Sequence, residues 1–336
     1  MAEVIGAHAS KVLTIIWALT SITFFLVMLR LYTRLKVLKM YGKDDYFYNG
    51  AFILFLSHDI MIQISANFGF GKDITEIASL DDVSRTILYE SIGQTLFSIG
   101  MITAKVSMAL FLIRLVTTRT DKVVIWVPTI IFSVSTVVSL IIFWLSCTPP
   151  AYLWDHRLHG HCYIDPAPAS IHACAWGVVV DFWYTGFPWY LLWKLNMVRR
   201  EKIVIAVSMS FGLVAGVCGI KRAAELYILN SSDFTKDSAC LAVWHAAELT
   251  ATMFSIGIPV CLPLYQHVFN GLFPTCGDSR SRGIFGGQKY DNKINALNLK
   301  TFQSIGGTIY FSKGGVSAGT MPGPTKKITV THSSEA

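Results

Sequence analysis

Histidines, carboxylates and fixed cations stand inside stretches of this chain that are otherwise apolar, and these are the residues that could do chemistry. His58 and Asp59 are neighbours, Glu90 and Lys105 share a second stretch, and Asp181 stands in another. Lys221, Arg222 and Glu225 share one segment, His245 and Glu248 the next. At the centre of a membrane span each such group costs roughly 2.5–3.5 kcal/mol unless paired or hydrated. Arg222 and Glu225 are three residues apart, as are His245 and Glu248, so each pair shares a helix face. Shielded histidines and carboxylates are the groups used for general acid–base work. If the chain is an enzyme, the catalytic candidates are therefore Asp59, Asp181, Glu248, His58 and His245. As binding groups the same residues, with Glu90, Trp183, Arg222, Glu225 and Trp244, would ring a polar pocket for a small lipophilic ligand or substrate. The competing reading is that Arg222 pairs with Asp181 or Glu248 and simply locks helices together. Pairing cannot satisfy the whole set, because the carboxylates Asp59, Glu90, Asp181, Glu225 and Glu248 outnumber the cations Lys105, Lys221 and Arg222.

Cofactors are constrained by what is missing. A retinal Schiff base of the usual kind needs a lysine in the last membrane helix, and no lysine lies between Lys236 and Lys289. Retinal is not expected, nor is any other cofactor. The seven cysteines form no C-x-x-C pair and no zinc spacing, so no metal site is expected. Cys147 and Cys162 are the expected disulfide, with Cys174 and Cys240 as alternative partners. A bridge from 147 to 162 would close a loop worth roughly 3 kcal/mol in the chain-entropy model.

The elements that must position these groups follow from composition. Only 15% of the residues are charged and 53% are hydrophobic, against about a quarter charged in soluble domains. Seven runs are long enough for membrane helices of about 20 residues: 12–32, 46–68, 86–114, 123–146, 169–193, 203–229 and 240–268. The expectation is an all-α, seven-transmembrane-helix bundle spanning 12–276, a multi-pass protein of the plasma membrane or an endomembrane. The first run has no small-residue cleavage site and leads into Arg30, Arg34, Lys36 and Lys39, so it reads as a retained helix. Basic residues cluster in the odd loops: Arg34, Lys36, Lys39 and Lys43; Arg114, Arg119 and Lys122; Lys194, Arg199, Arg200 and Lys202. The positive-inside rule then puts the short N-terminus, 1–11, outside and the C-terminus in the cytoplasm. It also explains the net charge of +7 without nucleic acid as a partner. The same topology places Asn230, in the sequon Asn230-Ser231-Ser232, on the outer side as a glycosylation candidate. From 277 to 336 Gly, Ser, Thr and Lys dominate, and a disordered cytoplasmic tail is expected. Asp44 and Asp45 open the second helix, facing Arg30 and Arg34, as a structural clamp.

Several of these residues fall in a recognisable order. Arg30-Leu-Tyr-Thr-Arg34 precedes Gly42-Lys-Asp44-Asp45; Gly69-Phe-Gly71 follows the second helix; Lys105-Val-Ser107 leads to Arg114. Then come Cys147, Pro149, Trp154, Cys162, Asp181, Pro188, Lys202, Arg222, Trp244 and Glu248. With this set the chain resembles the fungal rhodopsin-domain family, seven-helix membrane proteins that include the satratoxin-cluster membrane protein. It departs from the pattern at Lys72, where the family usually has His. The resemblance implies a receptor-like or accessory membrane protein linked to secondary-metabolite biosynthesis, with a small lipophilic ligand and a cytoplasmic signalling partner. The alternative is a membrane-embedded acid–base enzyme, a cyclase or isomerase acting on a lipophilic polyketide or terpenoid intermediate.

Overall fold

The computed structural model describes residues 7–39, 41–71, 79–116, 118–194, 199–228 and 234–261, together with 311–312 and 315–316. Seven helices follow in chain order: α1 (Ala7–Tyr32), α2 (Lys43–Phe68), α3 (Leu80–Leu115), α4 (Arg119–Leu145), α5 (Ala167–Lys194), α6 (Arg199–Ile228) and α7 (Phe234–Val260). α1 continues into a π-helical turn, Thr33–Val37. Over the described residues α1–α4 and α7 are each long and apolar enough to cross a membrane. α5 and α6 pack into the same bundle, between α4 and α7.

The C-terminal ends of α1 to α6 agree with the expected spans within one residue, whereas the helices begin two to six residues earlier than expected. The difference is chemical. Membrane helices here open with polar turns that an apolar pattern does not include. Ser79 caps α3 by accepting from the Asp81 amide, Thr118 caps α4 by accepting from Asp121, and acidic residues fill the first turns of α2, α3 and α4. α1 starts at Ala7, inside the stretch expected as a free N-terminus. Its Ala9 is fully buried and sits against Gly71, where a Cβ would come within 3.1 Å of the alanine's own. Gly69 (φ 123°) and Gly71 (φ 79°) occupy the left-handed region that ends α2 and brings the chain back onto α1. The expected end of the last span, 262–268, lies outside the described residues.

The helices close into a ring: each packs on its chain neighbours, α1 packs on α7, and α3 also reaches α7 through the middle. Accordingly α3 carries much of the core, with Phe97, Ala104 and Ala109 fully buried. α4 is peripheral, turning Val127, Ile130, Val134, Val138 and Ile141 outward. An apolar face of that extent suits hydrocarbon and no aqueous surface. Because lipid is as apolar as these side chains, burial from water does not hold the helices together; close packing and buried polar contacts do. Buried hydroxyls comply by bonding back along their own helices, as Thr23 does to the Leu19 carbonyl at 2.8 Å.

Between α4 and α5 the chain forms a small hairpin. β1 (Cys147–Thr148) pairs antiparallel with β2 (His161–Cys162), and Cys147 is disulfide-bonded to Cys162, which settles the pairing. Arg157 in this loop meets Asp81 at the start of α3 (2.5 Å) and Asp155 (2.8 Å). Its hydrogen bonds hold the Asp155 carboxyl below the usual carboxylate range, and the two carboxylates in turn raise Arg157. A separate unit, Ser281–Ala336, contains a two-residue antiparallel pair, β3 (Phe311–Ser312) with β4 (Gly315–Val316). The rest of the expected disordered tail lies outside the described residues.

Candidate functional site

Three polar arrangements are built into the bundle. The first sits where α1 meets α2. Asp44 and Asp45, in the first turn of α2, are buried with Arg30 and Arg34. Arg30 reaches Asp44 at 3.0 Å and Asp45 at 2.8 Å; Arg34 reaches Asp44 at 2.9 Å and Asp45 at 3.2 Å. Arg114, from the last turn of α3, adds a third guanidinium on Asp44 at 2.8 Å. Arg30 also donates to the Ile256 carbonyl of α7 at 2.9 Å and lies over the Tyr48 ring, 4.3 Å from its centroid. Tyr48 in turn donates to the Met253 carbonyl. α7 has no basic residue in its last turn, so α1 supplies the positive charge that its carbonyl end favours. The expected clamp is present, with two partners, Arg114 and α7, that charge patterning alone did not identify.

The second arrangement lies deeper. Lys105 of α3, fully buried, binds Asp181 of α5 at 2.6 Å and the Gly177 carbonyl at 3.1 Å. Arg222 of α6 binds Glu248 of α7 at 2.6 Å. Of the two partners expected for Arg222, Glu248 is the one paired, while Asp181 goes to a lysine that had no assigned role. Phe97 stands among the remaining groups, 4.1 Å from the His245 ring, 5.7 Å from His58 and 5.3 Å from the Arg222 guanidinium. His58 bonds the Gly93 carbonyl through Nδ1 at 2.9 Å. Asp59 shares a short hydrogen bond with the Thr20 hydroxyl of α1, and Glu90 meets Ser238. No cation pairs with Asp59 or Glu90 among the described residues, and His58 Nε2, Asp59 Oδ1, Glu90 Oε2 and Asp181 Oδ2 lack hydrogen-bond partners there. The surplus of carboxylates over cations is thus real.

The third arrangement is a small cleft between α3, α4, α5 and α6, open at its mouth. It lies in the half of the bundle next to the disulfide hairpin, since its walls include Phe143 near the end of α4 and Ser170 near the start of α5. Phe97 and Phe132 are among its lining residues. Phe132 also packs on the Lys105 ammonium, 5.1 Å from the ring centroid, and neither Lys105 nor Asp181 lines the cleft. The walls are amphipathic: Met101, Leu140 and Leu226 alternate with Gln94, Thr95, Ser98, Thr136 and Ser139.

Of the residues expected to ring a pocket, Arg222 alone lines this cleft. His58, Asp59, Glu90, Asp181, His245 and Glu248 are buried in the bundle interior. Trp183 is 43% exposed on the outside of α5, and Glu225 and Trp244 are half-buried, outside the cleft lining. The cleft hydroxyls were missed because they are uncharged. Their signal was nonetheless in the spacing: Thr95 and Ser98, like Thr136 and Ser139, are three apart and share a face. Asn230 and Lys72 lie outside the described residues.

Comparison with known proteins bears on this arrangement. The fungal rhodopsin domain matches residues 29–267, well over half of the chain. This chain belongs to the fungal rhodopsin domain family. A curated relative, described as a SAT4 family membrane protein of Emericella nidulans, is 28% identical over 138 residues, 41% of this chain and 34% of its own length. The match thus spans about a third of that relative. No solved structure matches. As a fungal rhodopsin-domain protein with several apolar helices, the chain is a multi-pass membrane protein. The motif residues Arg30, Arg34, Gly42, Asp44, Asp45 and Arg114 are those that build the clamp. The Gly42 amide donates to Asp45 Oδ2 at 3.0 Å, and a side chain at that position would collide with Arg114.

Proposed function

We propose that this fungal rhodopsin-domain protein is a receptor-like or accessory membrane protein that holds a small lipophilic ligand in the cleft between α3 and α6. The observation that carries the proposal is the cleft itself, with apolar walls, hydroxyls along two faces and one guanidinium. Ligand sites combine such apolar linings with a few placed polar groups. The clamp and the Lys105–Asp181 pair account structurally for the other charged motifs. A cytoplasmic partner would read the basic odd loops and the tail, and the pathway served would be secondary-metabolite biosynthesis, as the family resemblance implies.

The acid–base enzyme has less support. Its candidates His58, Asp59, Asp181, His245 and Glu248 are buried and do not line the cleft. In the proposed topology the N-terminus is outside, so the disulfide hairpin, the cleft mouth and Asn230 share the outer side.

The test is thermal unfolding of the purified protein in lipid nanodiscs with lipophilic extracts of the producing organism. A ligand at 100 times its Kd stabilises by about 2.7 kcal/mol, and Ser139→Trp, which fills the cleft, should abolish that gain while leaving the unliganded midpoint within a few degrees. A gain that persists in Ser139→Trp would place the ligand elsewhere. Accumulation of an unconverted precursor in a deletion strain would favour the enzyme; loss of the whole pathway would favour the sensor.

A further inference from the structure

Where the protons lie in the cleft restricts what can bind there. Ser98 donates to the Gln94 carbonyl and Thr136 to the Phe132 carbonyl, each at 2.9 Å. Thr95 donates to Ser91 at 2.9 Å and accepts from Trp144 Nε1 at 3.1 Å. A hydroxyl has one proton, so Ser98 and Thr136 present lone pairs to the cleft and no donor. Ser139 and Ser170 bond each other at 3.2 Å, which leaves the pair one proton to offer.

Arg222 is the opposite case. Glu248 faces its Nε and Nη2, and its Nη1 has no acceptor among the described residues. The cleft therefore has a strong donor on α6 and acceptors along its α3 and α4 walls. Charge restricts it further. Glu248, fully buried, already neutralises Arg222, and Asp181 neutralises Lys105. An anionic ligand would put a second carboxylate on a guanidinium that is already matched, in a medium where like charges repel strongly. A cationic ligand would meet the Arg222 guanidinium in a lining that contains no carboxylate.

We propose that the cleft selects an uncharged lipophile with a carbonyl oxygen that accepts from Arg222 Nη1 and a hydroxyl that donates to Ser98 or Thr136. The assignment rests on the reading of the cleft as a ligand site, and it adds the chemical class. A ring-fused hydroxyketone fits it; a fatty acid or an amine does not.

The experiment uses full-length protein in nanodiscs and four probes of one bicyclic skeleton: decalin, 2-decalone, a hydroxylated 2-decalone and decalin-2-carboxylate. Affinities are read from midpoint shifts, corrected with empty nanodiscs. The ketone should bind about tenfold tighter than decalin, the gain of one hydrogen bond to a charged donor, and the carboxylate no tighter than decalin. In the double variant Arg222→Met/Glu248→Met, which removes donor and counter-charge together, the ketone's advantage should vanish while decalin still binds. Ser98→Ala and Thr136→Ala should reduce only the extra affinity of the hydroxylated ketone. A carboxylate that binds as tightly as the ketone overturns the class, as does a ketone advantage that survives the double variant. Decalin and ketone binding equally would sink the carbonyl assignment but leave the cleft as a ligand site. No binding by any probe would sink both.

Discussion

Asp44 accepts from three arginines, Arg30, Arg34 and Arg114, and is itself inaccessible to solvent. Removing one member of a buried charge cluster strands the others, at about 3–5 kcal/mol. Asp44→Ala should therefore lower unfolding stability in nanodiscs by that order. Asp81→Ala, at a carboxylate exposed to solvent, should barely change it. At this scale the sequence was informative in one respect and mute in another. Carboxylates at the start of α2 opposite basic residues announce an ion cluster, because both fall within a few residues of one loop. Nothing local tells Asp181 from Glu248 as the partner of Arg222. That choice depends on how α5, α6 and α7 are rotated and at what depth each residue sits, which are properties of helix packing. Neutral hydroxyls such as Ser98 and Thr136 mark the cleft only through the faces they share with Thr95 and Ser139, a weak signal because most hydroxyls in membrane helices merely bond their own backbone, as these also do.

The α4–α5 hairpin is the one described connection that is covalently closed, by Cys147–Cys162 at a sequence separation of 15. In the chain-entropy model that loop is worth roughly 3 kcal/mol. The variant Cys147→Ser/Cys162→Ser should speed hydrogen exchange across the hairpin and weaken ligand shifts, because Ser170 and Phe143 of the cleft flank it. Exchange at the clamp, on α1 and α2, should stay as in the parent protein. A uniform rise in exchange across all helices would mean that the bridge supports the whole bundle. Helix ends were legible on one side only. Apolar runs stop where helices stop, but their polar, capped first turns look like loop to a hydropathy pattern, so α3 begins well before its apolar run.

For the molecule as a whole, seven helices and basic odd loops give a firm expectation: tags on the N- and C-termini lie on opposite faces, the N-terminal one outside. Protease protection of each tag in sealed vesicles measures this, and both tags on one face would remove the proposed topology and the outer side of the cleft with it. The count of helices and the family were readable from hydropathy and motifs; the ring, with α3 crossing to α7, was not, because contacts between distant helices leave no periodic trace. One seam of that ring has a consequence for how the protein is made. Arg30 lies on α1, and the Ile256 carbonyl it grips lies near the end of α7, 226 residues later in the chain. Until α7 is inserted, that guanidinium has no such acceptor, and the flanks of α1 and α3 that α7 covers stay open to the bilayer. A nascent chain halted before Phe234 would leave those flanks uncovered, so the ring closes only once α7 has been synthesised and inserted.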